Sequence, residues 1–245
     1  MSSSRTTRAF RSFGTSSIVV ALSDDAFVGL INGLHVAGLV VGEKGKPACQ
    51  DRASIIPTEG GLVLVLADGA GGLAGGALAA NAVVAAVAAA CMAGGSTLGS
   101  ARFWVDVLEA TDVQLAAQHH GGQPTAVICA VGSEIVGACV GDSVAWLALP
   151  SGVIDLTSAQ SKRPLIGSGQ AAVIPIATEM GDGTLLLASD GLAKYASRAK
   201  IAATAMDADL ARSSGRLVDM VRLRSGALQD DVSLVLCRRN QRPPP

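Results

Sequence analysis

The amino-acid sequence predicts an α+β fold, because its strand-like and helix-like segments come in groups rather than in strict alternation. An amphipathic helix at 101–118 is followed by three short strand-like segments between residues 125 and 150. Hydrophobic residues make up 49% of the 245 residues and aromatic residues only 3%, so we expect a core built from Ala, Val, Leu and Ile. No internal repeat of fixed period is visible.

The composition of the two ends indicates one domain with a tail on either side. Residues 1–17 are rich in hydroxyls and arginine and contain no acid, a composition shared by organelle transit peptides and disordered tails. We favour a disordered tail, because no helical apolar face is evident there. The sequence thus predicts a single domain at 18–238 and a disordered C-terminal tail at 239–245.

Charge, cysteine and histidine usage argue against several classes of function. A net charge of -1 provides no global field for binding nucleic acid or an anionic membrane. The five cysteines lie far apart, form no C-x-x-C pair and sit mostly in apolar stretches, which favours reduced core residues in the cytoplasm. His35, His119 and His120 lack the H-x-x-x-H spacing of a helical zinc site.

The stretch "GLVLVLADGAGGLAGG" joins a strand to a long apolar helix. Its Val-rich run, bounded by Gly60 and Gly61, predicts a buried strand that ends at Asp68. The segment Leu73–Ala93 is long enough to span a bilayer, but alanine and glycine are weakly hydrophobic and no Lys or Arg flanks it. We therefore expect a helix of the soluble core, covered by protein on both sides.

The rest of the chain supplies further strands and helices. Ala26–Val41 is expected to form the first strands, and "TAVICAV", "EIVGACV" and "AWLALP" predict an antiparallel meander. "GTLLLASDGL" repeats the order of apolar strand, aspartate and glycine. A helical region follows from about Ser197 to Arg224, and "DDVSLVLC" predicts a closing strand.

The most informative feature is the position of the carboxylates in a sequence with few charges. Asp68, Asp142, Asp190 and Asp230 each lie at the edge of an apolar strand. Any one of them alone is explained by ordinary turn chemistry. Several carboxylates converging at one edge would repel each other, and Mg²⁺ or Mn²⁺, which prefer oxygen ligands, would relieve that repulsion.

Nucleotide-binding loops fit this stretch less well than a metal site. "GAGGLAGG" lacks the G-K-[ST] ending of a P-loop, and Asp68 brings negative charge to the place where phosphates would lie. The match to the G-x-G-x-x-G fingerprint is loose, and the βαβ rhythm that normally accompanies it is missing.

The order of the motifs resembles the metal-dependent type 2C serine/threonine protein phosphatases, in their compact bacterial form. The matching pieces are "CQDRA", "LVLADGAGG", "TAVICAV", "ACVGDSVAWL", "LLLASDGL" and "QDDVSLVL", which together span residues 49 to 236. The resemblance implies a four-layer α-β-β-α sandwich with two central, mostly antiparallel sheets. It also implies two Mn²⁺ or Mg²⁺ ions at one edge of the sandwich, and a third, weaker one.

The resemblance assigns a role to each candidate site residue. Asp68 would bridge two metals, and the carbonyl of Gly69 would be the second ligand from the same turn. The other metal ligands that it implies are Asp142 (for the third ion), Asp190, Asp230 and Asp51, of which Asp51 falls on a position that either binds metal or supports a ligand. Lys46 stands where the family has a phosphate-binding arginine.

The chemistry that the resemblance implies is hydrolysis of phosphoserine and phosphothreonine in proteins. A hydroxide bridging the two metals would attack phosphorus, with Asp68 and Asp190 as the catalytic carboxylates. The implied partner is a phosphoprotein substrate in signal transduction, opposing a serine/threonine kinase, and the protein is expected to be a monomer that binds neither nucleic acid nor membrane.

Four departures from the family pattern keep an alternative open. Lys46 replaces arginine and loses its bidentate fork, Gln50 stands where many relatives have glutamate, and Ala70 replaces a histidine of eukaryotic members. The segment containing "SKRPLIGSG" is short for the usual flap. The alternative is a weak or inactive pseudophosphatase that binds phosphoproteins, and a third hypothesis is another hydrolase with the same two-metal logic.

Overall fold

The computed structural model describes residues 19–43, 49–70, 75–118 and 122–240. The strands are β1 (Val20–Ala21), β2 (Phe27–Ile31), β3 (Leu34–Val41), β4 (Arg52–Thr58), β5 (Gly61–Ala67), β6 (Gly69–Ala70), β7 (Gln123–Pro124), β8 (Ala126–Val131), β9 (Glu134–Val140), β10 (Val144–Leu149), β11 (Gly152–Asp155), β12 (Ile174–Glu179), β13 (Thr184–Ala188) and β14 (Val232–Arg239). The helices are α1 (Gly75–Gly94), α2 (Ala101–Gln118), α3 (Asp190–Ala193), α4 (Arg198–Ala205) and α5 (Leu210–Met220), with a 3₁₀ helix at Gly95–Gly99.

Two six-stranded antiparallel sheets form the centre of the molecule. The first has the order β1-β4-β5-β8-β9-β12 and the second β11-β10-β13-β14-β3-β2, and β6 pairs with β7. Helices α1 and α2 cover the first sheet, and α4 and α5 cover the second. The predicted α+β class and the four-layer α-β-β-α sandwich are confirmed.

Strand β5 shows why an unbroken apolar run is required at the centre of a sandwich. Every residue of β5 is buried, because one of its faces packs between the sheets and the other packs under α1. Leu62, Leu64 and Leu66 enter the layer between the sheets, while Val63 and Val65 face the helices. The alternation of branched side chains thus fills two separate cores.

Helix α1 differs from the sequence expectation in one respect. Its buried residues, which include Ala79, Val83 and Val87, pack on the first sheet, but Leu78 and Met92 are exposed on its outer side. The helix is therefore covered by protein on one side only, and the expectation of cover on both sides is wrong. By length and composition, the segment Gly75–Gly99 is apolar enough to cross a membrane.

The predicted three-stranded meander is also wrong at its third strand. Strands β8 and β9 pair as expected, but β9 then pairs with β12, whereas β10 belongs to the second sheet. The chain crosses between the sheets at Gly141, whose φ of 98° favours glycine and where a Cβ atom would lie 2.7 Å from the side chain of Thr125. The "GDS" turn is thus a link between sheets rather than a hairpin.

The strand registers bring the predicted acidic positions to one end of the sandwich. Arg52 pairs with Ala67, so Asp51 and Asp68 extend from neighbouring strand ends in the first sheet. Ala188 pairs with both Val144 and Leu234, so the segments that carry the remaining aspartates leave the second sheet at a common edge. Strand β14 packs across from β4 and β5, which joins the two groups.

Candidate metal centre

Asp51 and Asp68 form a buried pair at the centre of the site. Asp51 is only 1% exposed, its Oδ2 atom has no hydrogen-bond partner, and its carboxyl group contacts that of Asp68. Thr125 fixes the backbone of Asp68, since its N–H donates to the Asp68 carbonyl and its hydroxyl accepts from the Asp68 N–H, at 2.8 and 3.2 Å. The two carboxyl groups therefore meet in a place with little water.

Burial and like charge have the expected effect on this pair. Burial raises the pKa of Asp51, and burial together with the negative charge of Asp51 raises the pKa of Asp68. Asp190 and Asp230 add to the negative field at Asp68. Four of the predicted site residues, Asp51, Asp68, Asp190 and Asp230, are thus close enough to interact electrostatically.

Asp190 is held by a lysine of its own helical turn. It begins α3, and the ammonium group of Lys194 donates a hydrogen bond to Asp190 Oδ2. The backbone N–H of Lys194 also donates to the Asp190 carbonyl, at 2.8 Å, so the i, i+4 geometry brings the two side chains together. The hydrogen bond to Asp190 raises the pKa of Lys194, and the negative charges of Asp190, Asp142 and Asp230 raise it further.

Asp142 lies at the periphery of the site. It follows β9 in the turn between the sheets, and its Oδ2 atom is 3.8 Å from Nζ of Lys162. Its side chain is partly exposed. Asp142 is therefore near enough to act on Lys194 electrostatically, but it lies outside the buried pair.

Asp231 is a residue that the sequence analysis missed. It is buried beside β14, and its two oxygens accept the backbone N–H groups of Glu43 and Gln50, at 2.8 and 2.7 Å. Its neighbour Asp230 accepts the Asp231 N–H at 3.0 Å. The two neighbours therefore differ in role: Asp231 holds two backbone N–H groups, whereas Asp230 adds to the negative field at Asp68.

Arg52 is a second missed residue, and it sets the position of Asp51. Its guanidinium donates to the carbonyls of Cys49 and Asp51, at 2.8 and 2.7 Å, and its Nε donates to Asn81 Oδ1 at 2.7 Å. The side chain thus connects the segment before β4 to helix α1. These three hydrogen bonds hold Arg52 against the backbone on either side of Gln50, so Arg52 helps to orient Asp51.

Gly69 and Gly76 bring the turn after Asp68 against the start of α1. A Cβ atom on Gly76 would lie 2.6 Å from the Gly69 carbonyl oxygen and 2.4 Å from Gln50 Oε1. A Cβ atom on Gly69 would lie 2.5 Å from the backbone of Gly76. Glycine is therefore required on both sides of this contact. The role of the Gly69 carbonyl as a metal ligand stays a prediction.

The chemistry of the donor set fits a hard divalent cation. Asp51 Oδ2 is buried without a donor, and the carboxylates around it repel each other, so an Mg²⁺ or Mn²⁺ ion would compensate both costs. Within the described ranges, however, no three His, Cys, Asp or Glu side chains are arranged as a ready-made metal cluster.

This architecture is shared with solved phosphatase structures, although sequence similarity to known proteins is low. No family model matches the chain, and no curated protein matches it. Among solved structures, a bacterial serine phosphatase is 18% identical with a TM-score of 0.75, covering 85% of this chain and 99% of that one. The Mycobacterium tuberculosis serine/threonine phosphatase PstP/Ppp is 21% identical with a TM-score of 0.71, covering 88% of this chain and 100% of that one.

The chain has the fold of the bacterial serine/threonine phosphatases. A further structure with this fold is the catalytic domain of the phosphatase PstP in complex with two manganese ions. It is 22% identical to this chain with a TM-score of 0.68, and the match covers 84% of this chain and 97% of that one. The fold expected from the motif order is therefore confirmed.

Two residues that the sequence analysis singled out lie wholly or partly outside the described ranges. Lys46, the predicted phosphate-binding residue, falls in 44–48, and the side chain of Ala70 is likewise outside the described part.

The "SKRPLIGSG" segment, which is short for the usual flap, lies within the described ranges and is bound to helix α2 through Asp112. The carboxylate of Asp112 accepts the backbone N–H groups of Gly167, Gly169 and Ala171 at 2.6, 3.0 and 2.9 Å.

Proposed function

We propose that this protein is a metal-dependent phosphoprotein phosphatase that hydrolyses phosphoserine and phosphothreonine with Mn²⁺ or Mg²⁺. The observation that carries the proposal is the buried pair Asp51 and Asp68, with Asp190 and Asp230 in electrostatic range, at one end of the sandwich. Solved phosphatases share the fold, and one of them holds two manganese ions.

In this proposal, the residues that hold the metals are Asp51, Asp68, Gly69 through its carbonyl, Asp190 and Asp230, with Asp142 at a third, weaker position. When bound, the cations supply Lewis acidity toward a water nucleophile and toward the phosphoryl oxygens. Asp68 and Asp190 are the carboxylates closest to the chemistry, and Lys46 binds the phosphate.

The surrounding residues of the chain do the positioning. Arg52 fixes the backbone of Asp51, and Thr125 fixes that of Asp68. Asp231 ties Glu43 and Gln50 to the start of β14, which sets the ends of the segment that carries Lys46. These bonds fix the backbone at Asp51 and Asp68, so receiving a cation would require side chains rather than backbone to move.

The partners follow from the same proposal. The substrate is a phosphorylated protein, the opposing enzyme is a serine/threonine kinase, and the protein acts as a cytoplasmic monomer in signal transduction. None of these partners involves nucleic acid or a membrane.

The test is hydrolysis of p-nitrophenyl phosphate and of a phosphothreonine peptide by the full chain in Mn²⁺, in Mg²⁺ and in EDTA. We expect metal-dependent turnover that EDTA abolishes and that Asp68→Asn lowers about 100-fold or more. Asp182→Asn is the matched control, because Asp182 is exposed in the turn at the opposite end of β13 and should retain full turnover.

Absence of turnover in protein that binds Mn²⁺ would overturn the enzymatic proposal. The alternative, a pseudophosphatase that binds phosphoproteins, then predicts that the phosphothreonine peptide binds without being hydrolysed. Turnover that persists in Asp68→Asn or in EDTA would instead contradict the metal-dependent mechanism.

A further inference from the structure

Lys194 is the basic side chain most closely tied to the acidic edge in the described part of the site, and its position is set locally. Asp190 and Lys194 stand four residues apart around α3, with a backbone hydrogen bond between them. Their ion pair therefore forms from one turn of chain and needs no partner from elsewhere. An acid placed N-terminal to a lysine at this spacing is the favourable orientation.

The ion pair is also better protected on the acidic side than on the basic side. The Asp190 side chain is 14% exposed, whereas that of Lys194 is 45% exposed. The Lys194 side chain can thus leave toward solvent, while Asp190 remains in the site. Three carboxylates, those of Asp142, Asp190 and Asp230, attract the ammonium group.

We propose that Lys194 is a built-in competitor of the divalent cation, which neutralises Asp190 in the metal-free protein and is displaced when metal binds. This inference rests on the proposed function, because it concerns the same carboxylates. The ammonium group occupies Asp190 Oδ2 with a hydrogen bond, and its positive charge would repel a cation arriving at the same carboxylate. The fraction of molecules with the ion pair open therefore contributes to the apparent metal affinity.

The competition has a second consequence for the metal-free state. Without Lys194, Asp190 would add an uncompensated negative charge next to Asp68 and Asp230. Lys194 thus limits the repulsion at this edge of the sandwich when metal is scarce. The protein exchanges one cation for another instead of leaving the carboxylates unbalanced.

The test measures Mn²⁺ binding directly, by isothermal titration calorimetry on the full chain at constant pH and ionic strength. Lys194→Met removes the ammonium but keeps most of the apolar stem. We expect it to bind Mn²⁺ about three- to tenfold more tightly than the wild type, the range expected for a partly screened ion pair. In EDTA the same variant should melt at a lower temperature than the wild type.

Two control variants separate direct competition from general charge effects. Lys200→Met makes the same change on an exposed position of α4, and Lys162→Met makes it beside Asp142, 3.8 Å away. Neither should raise the affinity as much as Lys194→Met. Lys194→Gln serves as a second variant if Lys194→Met does not fold, which circular dichroism would reveal.

The outcomes distinguish this inference from the proposed function. Equal Mn²⁺ affinity in the wild type and Lys194→Met, or an equal rise in Lys162→Met, would overturn the competition and leave the phosphatase proposal standing. A failure of every variant to bind Mn²⁺ would overturn both.

Discussion

At the scale of single residues, Asp51 and Asp68 make the metal-free protein sensitive to pH. Burial raises the pKa of both groups, so the folded state binds more protons than the unfolded state above about pH 4, the ordinary pKa of Asp. Their destabilising effect is absent below that pH and grows as the pH rises toward the raised pKa values. We therefore expect a lower melting temperature in EDTA at pH 8 than at pH 5.

Asp68→Asn isolates this effect from the other ionisable groups. Asparagine removes the charge, so the variant should be more stable than the wild type at pH 8 in EDTA, by about 1.4 kcal/mol for each pKa unit relieved. At pH 4 the two proteins should differ little. Thermal unfolding at both pH values measures the difference, and a constant difference across pH would contradict the assignment.

A second residue-scale prediction concerns Asp112. It is buried, and its carboxylate accepts three backbone N–H groups from the loop at 167–171. Asp112→Ala leaves these donors unpaired and should cost about 2 kcal/mol or more of unfolding free energy. Urea unfolding measures the loss, and faster amide exchange should be confined to the loop. Asp106→Ala, on an exposed position of the same helix, should cost much less.

At the scale of elements, two helical glycines with different surroundings give opposite predictions. In α1, Gly76 faces the Gly69 carbonyl so closely that a Cβ atom would be 2.6 Å away, whereas in α5 nothing lies within 4 Å of a Cβ atom on Gly215. Gly215→Ala should stabilise the protein by about 0.5–1 kcal/mol, because alanine has the higher helix propensity.

Gly76→Ala should destabilise the protein despite the same gain in propensity, because backbone atoms must move apart to admit the methyl group. The cost should be about 1–3 kcal/mol, as for other overpacked sites. Chemical denaturation of both variants tests the pair. Stabilisation by Gly76→Ala would mean that the turn after Asp68 is not packed against α1 as described.

Strand β10 lies in the second sheet rather than beside β9, and the hydrophobic pattern of the individual strands does not indicate this. "EIVGACV" and "AWLALP" have the same apolar character, so periodicity alone predicts a hairpin between them. What directs the chain across the sandwich is the positive φ at Gly141 and the packing of the turn against Thr125, a residue 16 positions earlier. The local hydrophobic pattern of the sequence does not reveal tertiary contacts of this kind.

At the scale of the whole molecule, the core between the sheets predicts the behaviour of its thiols. Cys129, Cys139 and Cys237 belong to that core, and burial raises the pKa of Cys139 and Cys237 to about 12 and that of Cys129 further. We expect all three to be inert to iodoacetamide in the native protein and to react together at one common rate in denaturant. Mass spectrometry of the labelled peptides measures the three rates.

Unequal rates would show that the sandwich opens in parts. Cys49 and Cys91 are only partly buried and serve as internal comparison, because their labelling does not require the sheets to separate. Burial raises the pKa of both to about 12 as well, so faster labelling of these two thiols would reflect access rather than a larger thiolate fraction.

The fold and part of the site were accessible from sequence for physical reasons. Each buried strand must be apolar, and a carboxylate at its end stands out, which singled out Asp68, Asp190 and Asp230. Asp231 and Asp112 were not accessible, because their roles depend on backbone N–H groups far away in the chain. Lys194 was missed because an exposed lysine after a helical turn carries no signal of its own.

The two hydrogen bonds that Asp231 accepts from the backbone of Glu43 and Gln50 have a consequence for how this protein can change in evolution. One carboxylate fixes both flanks of the intervening stretch, so the geometry of Asp51 does not depend on what lies between them. Insertions between fixed flanks cost little free energy, about 0.6 kcal/mol for each doubling of length. Changes in the length of this stretch can therefore arise while the acidic edge is inherited unaltered, provided that Lys46, the proposed phosphate-binding residue, is kept.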